Sequence, residues 1–224
     1  MSLLNWPVNS YLPVAVPGVK FIAAAGVITG IFFYTGPLWA AIVCLLMTGF
    51  ICWFFRDPER NFSGPENALI SPADGRIIRI DEVEEGEYVD SAMRKVSIFM
   101  NVFNVHVNRV PFTGTIQEVR YTPGKFVNAS FDKASEHNER NALAIKTDNG
   151  AEYKVVQVAG LIARRIVCKT GKGAAVQKGA RYGMISFGSR LDLYLPLDTK
   201  IAVSIGQKVK AGTSVIGFMN ESTG

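Results

Sequence analysis

The chain has 224 residues, 48% of them hydrophobic and 19% charged, with a formal net charge of +5 and a mean hydropathy of +0.17. That length suits about one to one and a half domains and excludes a disordered tail or a disulfide miniprotein, while the composition is more apolar than that of an ordinary soluble domain. The apolar excess is segregated, because residues 1–55 carry one charged side chain, Lys20, and residues 56–224 carry all the acidic and all the other basic ones.

Residues 21–55 hold no charge and are interrupted near the middle by Gly36-Pro37. A straight helix of that length would run about 50 Å, against a hydrocarbon core of about 30 Å. The break leaves residues 21–35 and 38–55, each at or just below spanning length, and predicts a helical hairpin that dips into or crosses a bilayer. Lys20 before it and Arg56 and Arg60 after it place both flanks on the cytoplasmic side of a cell membrane. A cleaved signal peptide fits poorly, since its charged n-region is missing and the apolar stretch is too long.

From residue 56 onward the periodicity is mostly that of strands. Val96, Ile98, Met100 and Val102 alternate with Ser97, Phe99, Asn101 and Phe103, and an unbroken strand would put His106 on the face of Val96. Further short runs at residues 76–83, 115–121, 142–147, 153–158, 191–195, 201–205 and 214–218 are separated by Gly, Pro, Asn and Asp. Only residues 159–167 read weakly as helix. The expected fold is mainly β (α+β), a barrel-sandwich-like β domain over residues 56–224 behind a membrane-associated hairpin over residues 1–55.

Residues 169–183 read as a loop, with Gly171, Gly173, Gly179 and Gly183 among Lys169, Lys172, Lys178 and Arg181. With Arg164 and Arg165 the stretch to Arg181 has six basic residues and no acidic one, which suits anionic head groups as well as it suits a solvated loop. It lacks the GxxxxGK[ST] phosphate-loop pattern. The net positive charge beside an apolar hairpin favours an acidic lipid surface over nucleic acid. Two histidines, His106 and His137, with no CxxC or HxxxH spacing, supply no ligand set for a metal. Cys44 and Cys52 lie in the hairpin and only Cys168 in the β domain, so no disulfide framework is expected.

Four segments are over-specified for a plain β domain: FRDPER at residues 55–60, SPADG at 71–75, VHVNRVP at 105–111 and FGSR at 187–190. Singly, each has a bland reading as a helix cap, a β-turn, a core histidine or nothing at all. No GxSxG elbow supports a serine hydrolase. Together and in order, with the Asn138-Glu139-Arg140-Asn141 segment, YGMISFGSRLDLYLP and VKAGTSVIG, they resemble the phosphatidylserine decarboxylase proenzymes in their short, membrane-associated form.

That resemblance implies a pyruvoyl-dependent lyase made as a zymogen. The chain would cut itself between Gly188 and Ser189 into residues 1–188 and 189–224, which stay together as a heterodimer, and Ser189 would become the pyruvoyl group that forms a Schiff base with the substrate amine. Neither pyridoxal phosphate nor metal is implied. The resemblance also implies an Asp-His-Ser triad at Asp74, His106 and Ser189. Longer bacterial relatives carry H-x-x-H where this chain has His106 and Arg109, so Arg109 is expected to pair with an anionic group of the phosphatidylserine substrate, and Lys169 and Lys172 with its head group. His137 is read as incidental. Two other readings stay open: a non-catalytic module, because residues 205–217 look like a turn-strand unit of lipoyl-like and phosphotransfer barrel-sandwich domains, and the same chemistry on archaetidylserine.

Overall fold

The computed structural model describes residues 13–84, 86–89, 91–124, 138–160, 166–186 and 188–220. The chain separates into two units, Met1–Glu59 and Arg60–Gly224.

The first unit is a helical hairpin of α1 (Val16–Thr35) and α2 (Leu38–Phe54). Pro17 in the first turn of α1 wastes no hydrogen bond, because the first N–H groups of a helix have no partner within it. Pro37 stands as the N-cap of α2 and ends any continuation from α1. The helix starts earlier than its apolar run, so Lys20 lies within α1 rather than ahead of it. Between the helices Thr29 and Thr48 meet hydroxyl to hydroxyl at 2.9 Å. At the open end Phe21 stacks on Phe55, and Ala15 N–H donates to the Phe55 carbonyl at 2.7 Å. Both helices present large apolar side chains outward, Phe33, Leu38, Trp39 and Leu46 among them. The 20-residue α1 is long and apolar enough to cross a membrane, and α2 is shorter.

The second unit is built from antiparallel strands. In chain order they are β1 (Ala68–Ile70), β2 (Gly75–Val83), β3 (Met93–Met100), β4 (Val107–Arg109), β5 (Gly114–Thr122), β6 (Arg140–Lys146), β7 (Glu152–Val158), β8 (Ile166–Cys168), β9 (Ala175–Val176), β10 (Arg181–Ile185), β11 (Ser189–Pro196), β12 (Lys200–Ile201), β13 (Lys208–Val209) and β14 (Val215–Phe218). Eight of them form one curled half-barrel sheet in the order β13-β2-β3-β11-β7-β6-β5-β9, beside two three-stranded sheets, β4-β10-β8 and β1-β14-β12. Alternation assigns the faces of the large sheet. Val96, Ile98, Leu143, Val155, Leu191 and Leu193 point inward to the main core, and Met93, Ala142, Val156, Val158 and Tyr194 point the other way, under Tyr88.

Three expectations need correction. The strand through Val96 stops at Met100, because residues 101–104 form a turn in which Asn101 Oδ1 accepts from Phe103 N–H and Asn104 Oδ1 from Asn101 N–H. Past that turn the chain enters a different sheet, so His106 does not continue the face of Val96. The weak helix at 159–167 is not found where it can be described: residues 166–168 are strand β8, and residues 161–165, with Arg164 and Arg165, lie outside the described residues, as does His137. The basic stretch at 169–183 is not a free loop, since it contains β9 and enters β10 and is knitted in by Gly173 N–H to Ile116 O at 2.7 Å and Gly179 N–H to Val110 O at 2.8 Å.

Candidate active site

The register of the large sheet brings two of the singled-out segments side by side. Arg76 of β2 and Arg190 of β11 both face Phe99 of β3, and Ser189 faces Met100. Gly75, Met100 and Ser189 thus stand in one row across three adjacent strands. At about 4.8 Å per strand the backbone next to Asp74 lies about 10 Å from Ser189.

Ser189 is fully buried on the inner face, the face of Leu191 and Leu193. Among the described residues its Oγ has no hydrogen-bond partner. Gly188 before it has φ +60°, in the left-handed region that a residue with a Cβ enters only at a cost. The bond between them is also where the chain changes sheets: β10, in the small sheet, ends at Ile185, and β11, in the large sheet, begins at Ser189.

His106 reaches the site from the small sheet. It is fully buried, immediately before β4, and its carbonyl accepts from Ile185 N–H at 3.3 Å, three residues ahead of Gly188. Asp74, the other expected triad member, has its carboxylate claimed locally. The Arg60 guanidinium grips both oxygens, Nη2 donating to Oδ2 at 3.0 Å and Nη1 to Oδ1, and Ala211 N–H donates to Oδ1 at 2.8 Å. The register thus sets the backbone beside Asp74 two strands from Ser189, and His106 meets the chain three residues before Gly188 through its carbonyl, while the Asp74 carboxylate is bonded to Arg60 and Ala211.

SPADG and the turn within VKAGTSVIG prove to be each other's partners. Ser71 N–H donates to Ser214 O at 2.7 Å and Gly212 N–H to Ser71 O at 2.8 Å. Arg109, 4% exposed, braces the same junction: its N–H donates to Pro72 O, its Nη1 to Gly179 O at 2.9 Å, and its stem lies where a side chain on residue 212 would have to go. Lys169 and Lys172 are exposed. Lys178 is not available to a ligand, because its Nζ donates to the carbonyls of Pro65, Glu66 and Ala68 and lies 5.2 Å from the rings of Phe62 and Phe112. Burial lowers the pKa of that ammonium, partly opposed by Glu66. No cluster of metal-ligating side chains occurs among the described residues.

Sequence reasoning missed two polar groupings. On the outer face of β11, Arg190 and Asp192 pair at 2.8 Å with Lys95 3.3 Å from Asp192, all buried. Polar residues alternating with leucines read as a solvent face, yet this face also carries buried side chains, Val156, Val158 and Tyr194 among them. On the inner face a chain of amides links Asn141, Gln157 and Asn108. Asn141 belongs to a segment already singled out, but nothing local in the sequence joins it to the other two.

Residues 47–217 match the family described as phosphatidylserine decarboxylase. The phosphatidylserine decarboxylase proenzyme of Syntrophus aciditrophicus (strain SB) is 51% identical over 205 residues, 91% of this chain and 96% of that protein. The proenzyme of Geobacter sulfurreducens is 46% identical over 216 residues, 94% of this chain and 99% of its own. That of Magnetococcus marinus is 51% identical over 175 residues, 78% of this chain and 80% of its own.

Proposed function

This chain belongs to the phosphatidylserine decarboxylase family, a pyruvoyl-dependent carboxy-lyase made as a zymogen, and from that premise we propose that it is cut between Gly188 and Ser189 and decarboxylates its lipid from residue 189. One observation carries the reading: a glycine at φ +60° followed by a wholly buried serine whose hydroxyl has no described partner. The residues suit a group made there. Because Ser189 Oγ bonds to nothing described, its departure with the new Gly188 carboxylate breaks no described hydrogen bond.

In the cleavage step Ser189 Oγ attacks the Gly188 carbonyl carbon, its proton passing to His106. The C–N bond then breaks, the proton goes to the departing amine, and an ester remains. β-Elimination releases residues 1–188 with their new carboxylate and leaves dehydroalanine, which takes up water and loses ammonia to become pyruvoyl. Asp74 supplies negative charge to stabilise the imidazolium that forms, the usual division between base and orienter, while Arg60 and Ala211 hold its carboxylate in place.

Decarboxylation of an α-amino acid leaves a carbanion that no side chain can delocalise, and the pyruvoyl carbonyl supplies the electron sink. The protein's share is to bind and orient the serine head group and to exclude water. Lys169 and Lys172 draw anionic lipid toward the site, at about 1 kcal/mol per charge near a membrane surface. The hairpin holds the enzyme at the bilayer, and Lys20, Arg56 and Arg60 favour a cytoplasmic catalytic unit. Residues 1–188 and 189–224 remain one heterodimer.

The test is intact-mass analysis of the purified protein with amino-terminal sequencing of its small piece. Two products, 1–188 and a 189–224 piece without a free amine, are expected. A free serine at that terminus means ordinary proteolysis, and a single uncut chain favours the non-catalytic module. Lipid backbone is tested separately, by comparing serine lipids with diacylglycerol and archaeal ether cores.

A further inference from the structure

Asn108 stands between His106 and Arg109 on β4 and is fully buried. Its side-chain amide has a defined orientation. Gln157 Nε2 donates to Asn108 Oδ1 at 2.9 Å, and Gln157 Oε1 in turn accepts from Asn141 Nδ2 at 3.2 Å. With the Asn108 oxygen claimed in this way, its NH2 group must point the other way, where its described acceptor is Met100 Sδ at 3.8 Å. A thioether is a weak acceptor, so a desolvated amide donor is left poorly used.

Met100 is also the cross-strand partner of Ser189. A donor with a weak acceptor and a nucleophile with no described partner therefore adjoin the same residue on the same inner face. The arrangement is built in: Gly183 faces Asn108 across β4 and β10, and a Cβ there would sit 3.1 Å from Gln157 Nε2 and 2.3 Å from Val167 O. The close approach of Gln157 needs a residue without a side chain at that position.

We propose that Asn108 is the amide donor that stabilises the oxyanion formed on the Gly188 carbonyl during self-cleavage, with Gln157 and Asn141 as positioning residues that hold its NH2 group toward the reacting bond. The proposal rests on the self-cleavage reading above. As the Oγ–C bond forms and the hydroxyl proton leaves for the base, the carbonyl π pair becomes charge on the Gly188 oxygen, and Nδ2–H meets it. When the amine of residue 189 departs with a proton, the carbonyl is restored as the ester and the bond weakens again. A fixed donor of this kind in a dry site contributes about 10²-fold to 10³-fold to rate.

The experiment is cell-free synthesis of the full chain with a short radioactive pulse, following conversion of precursor to products on a denaturing gel, with and without hydroxylamine, which cleaves esters. Asn108→Asp keeps the oxygen that Gln157 grips and replaces the donor by a carboxylate oxygen, so cleavage should slow by about 10²-fold or more. Gln157→Glu keeps its shape but frees the Asn108 amide, and should slow cleavage by roughly tenfold. Hydroxylamine should not restore cleavage in Asn108→Asp, because the slowed step precedes the ester. In an uncleavable Ser189→Ala chain both variants should melt lower than Ser189→Ala alone, since each buries a carboxylate, but by similar amounts, although their cleavage rates differ about tenfold. Wild-type cleavage rates in Asn108→Asp, full rescue by hydroxylamine, or a loss of rate matched by collapse of the melting temperature each overturns the proposal. Should Asn108→Asp not fold, an unchanged rate in Gln157→Glu does so. Failure of the unaltered chain to cleave at Ser189 instead sinks the self-cleavage reading.

Discussion

Arg60 and Asp74 form a bidentate ion pair with both side chains nearly buried, and the same Arg60 Nη1 donates to the Ala211 carbonyl at 2.8 Å while Ala211 N–H donates back to Asp74. Three sequence segments that stand far apart thereby close on one another. Cleavage between Gly188 and Ser189 would leave Arg60 and Asp74 on one product and Ala211 on the other, so the clasp spans both.

Removing one partner of such a pair leaves a buried charge without compensation, which is costlier than never having had the pair. Arg60→Ala in the uncleavable Ser189→Ala chain should therefore lose about 2–3 kcal/mol, a fall in melting temperature of roughly 5–10 °C for a unit of this size. Arg60→Lys should recover only part, because an ammonium cannot hold both oxygens in the fork geometry. Thermal unfolding in detergent checks both.

If His106 takes the Ser189 proton and Asp74 stabilises the resulting imidazolium, His106→Ala and Asp74→Asn should each accumulate uncut precursor, with cleavage slowed about 10²-fold to 10⁴-fold. A pulse-chase gel reads this directly. Asp74→Asn should also lose stability, since it leaves the nearly buried Arg60 guanidinium without its counter-charge. An Arg109→Ala chain should cut itself yet melt lower, its guanidinium being spent on the Gly179 carbonyl.

The small product should not leave after cleavage. β11 pairs with β3 along its whole length and with β7 along most of it, inside the eight-stranded sheet, and Leu191, Leu193 and Leu195 are buried completely. Each such leucine contributes about 1.5–3 kcal/mol relative to exposure. Gel filtration of the processed enzyme in mild detergent should show both pieces in one peak, separable only by denaturant.

The basic residues of 169–181 should divide into two kinds. Lys178→Gln should destabilise by about 2 kcal/mol, because it strips the ammonium from three carbonyls, with little specific effect on lipid. Lys169→Gln with Lys172→Gln should leave the melting temperature unchanged but lower turnover on anionic vesicles, and should flatten the dependence on salt. Decarboxylase assays across a salt series, beside melting curves, separate the two.

Much of this protein is legible in its sequence because the relevant physics is local. The uncharged run broken at Gly36-Pro37 specifies two helices, since proline removes a donor and blocks continuation. Strands β2, β5, β6, β7 and β11 follow from alternation between turn residues, and the ordered motifs point to the family. The placement of His106 is different. Residues 101–104 contain no glycine or proline, and the asparagine side chains that turn the chain there do so only by capping particular backbone groups. Arg60 reads as a helix cap until the fold brings Ala211 and Asp74 beside it, and Lys178 reads as solvated until three carbonyls and two rings surround it. Arg190 and Asp192 look like a wet face, yet the fold buries both. Alternation tells which side of a strand a residue takes, whereas what lies on that side is decided by chain from elsewhere. For the same reason Asn108, Gln157 and Asn141, on three strands, become one oriented hydrogen-bonded chain only in the folded protein.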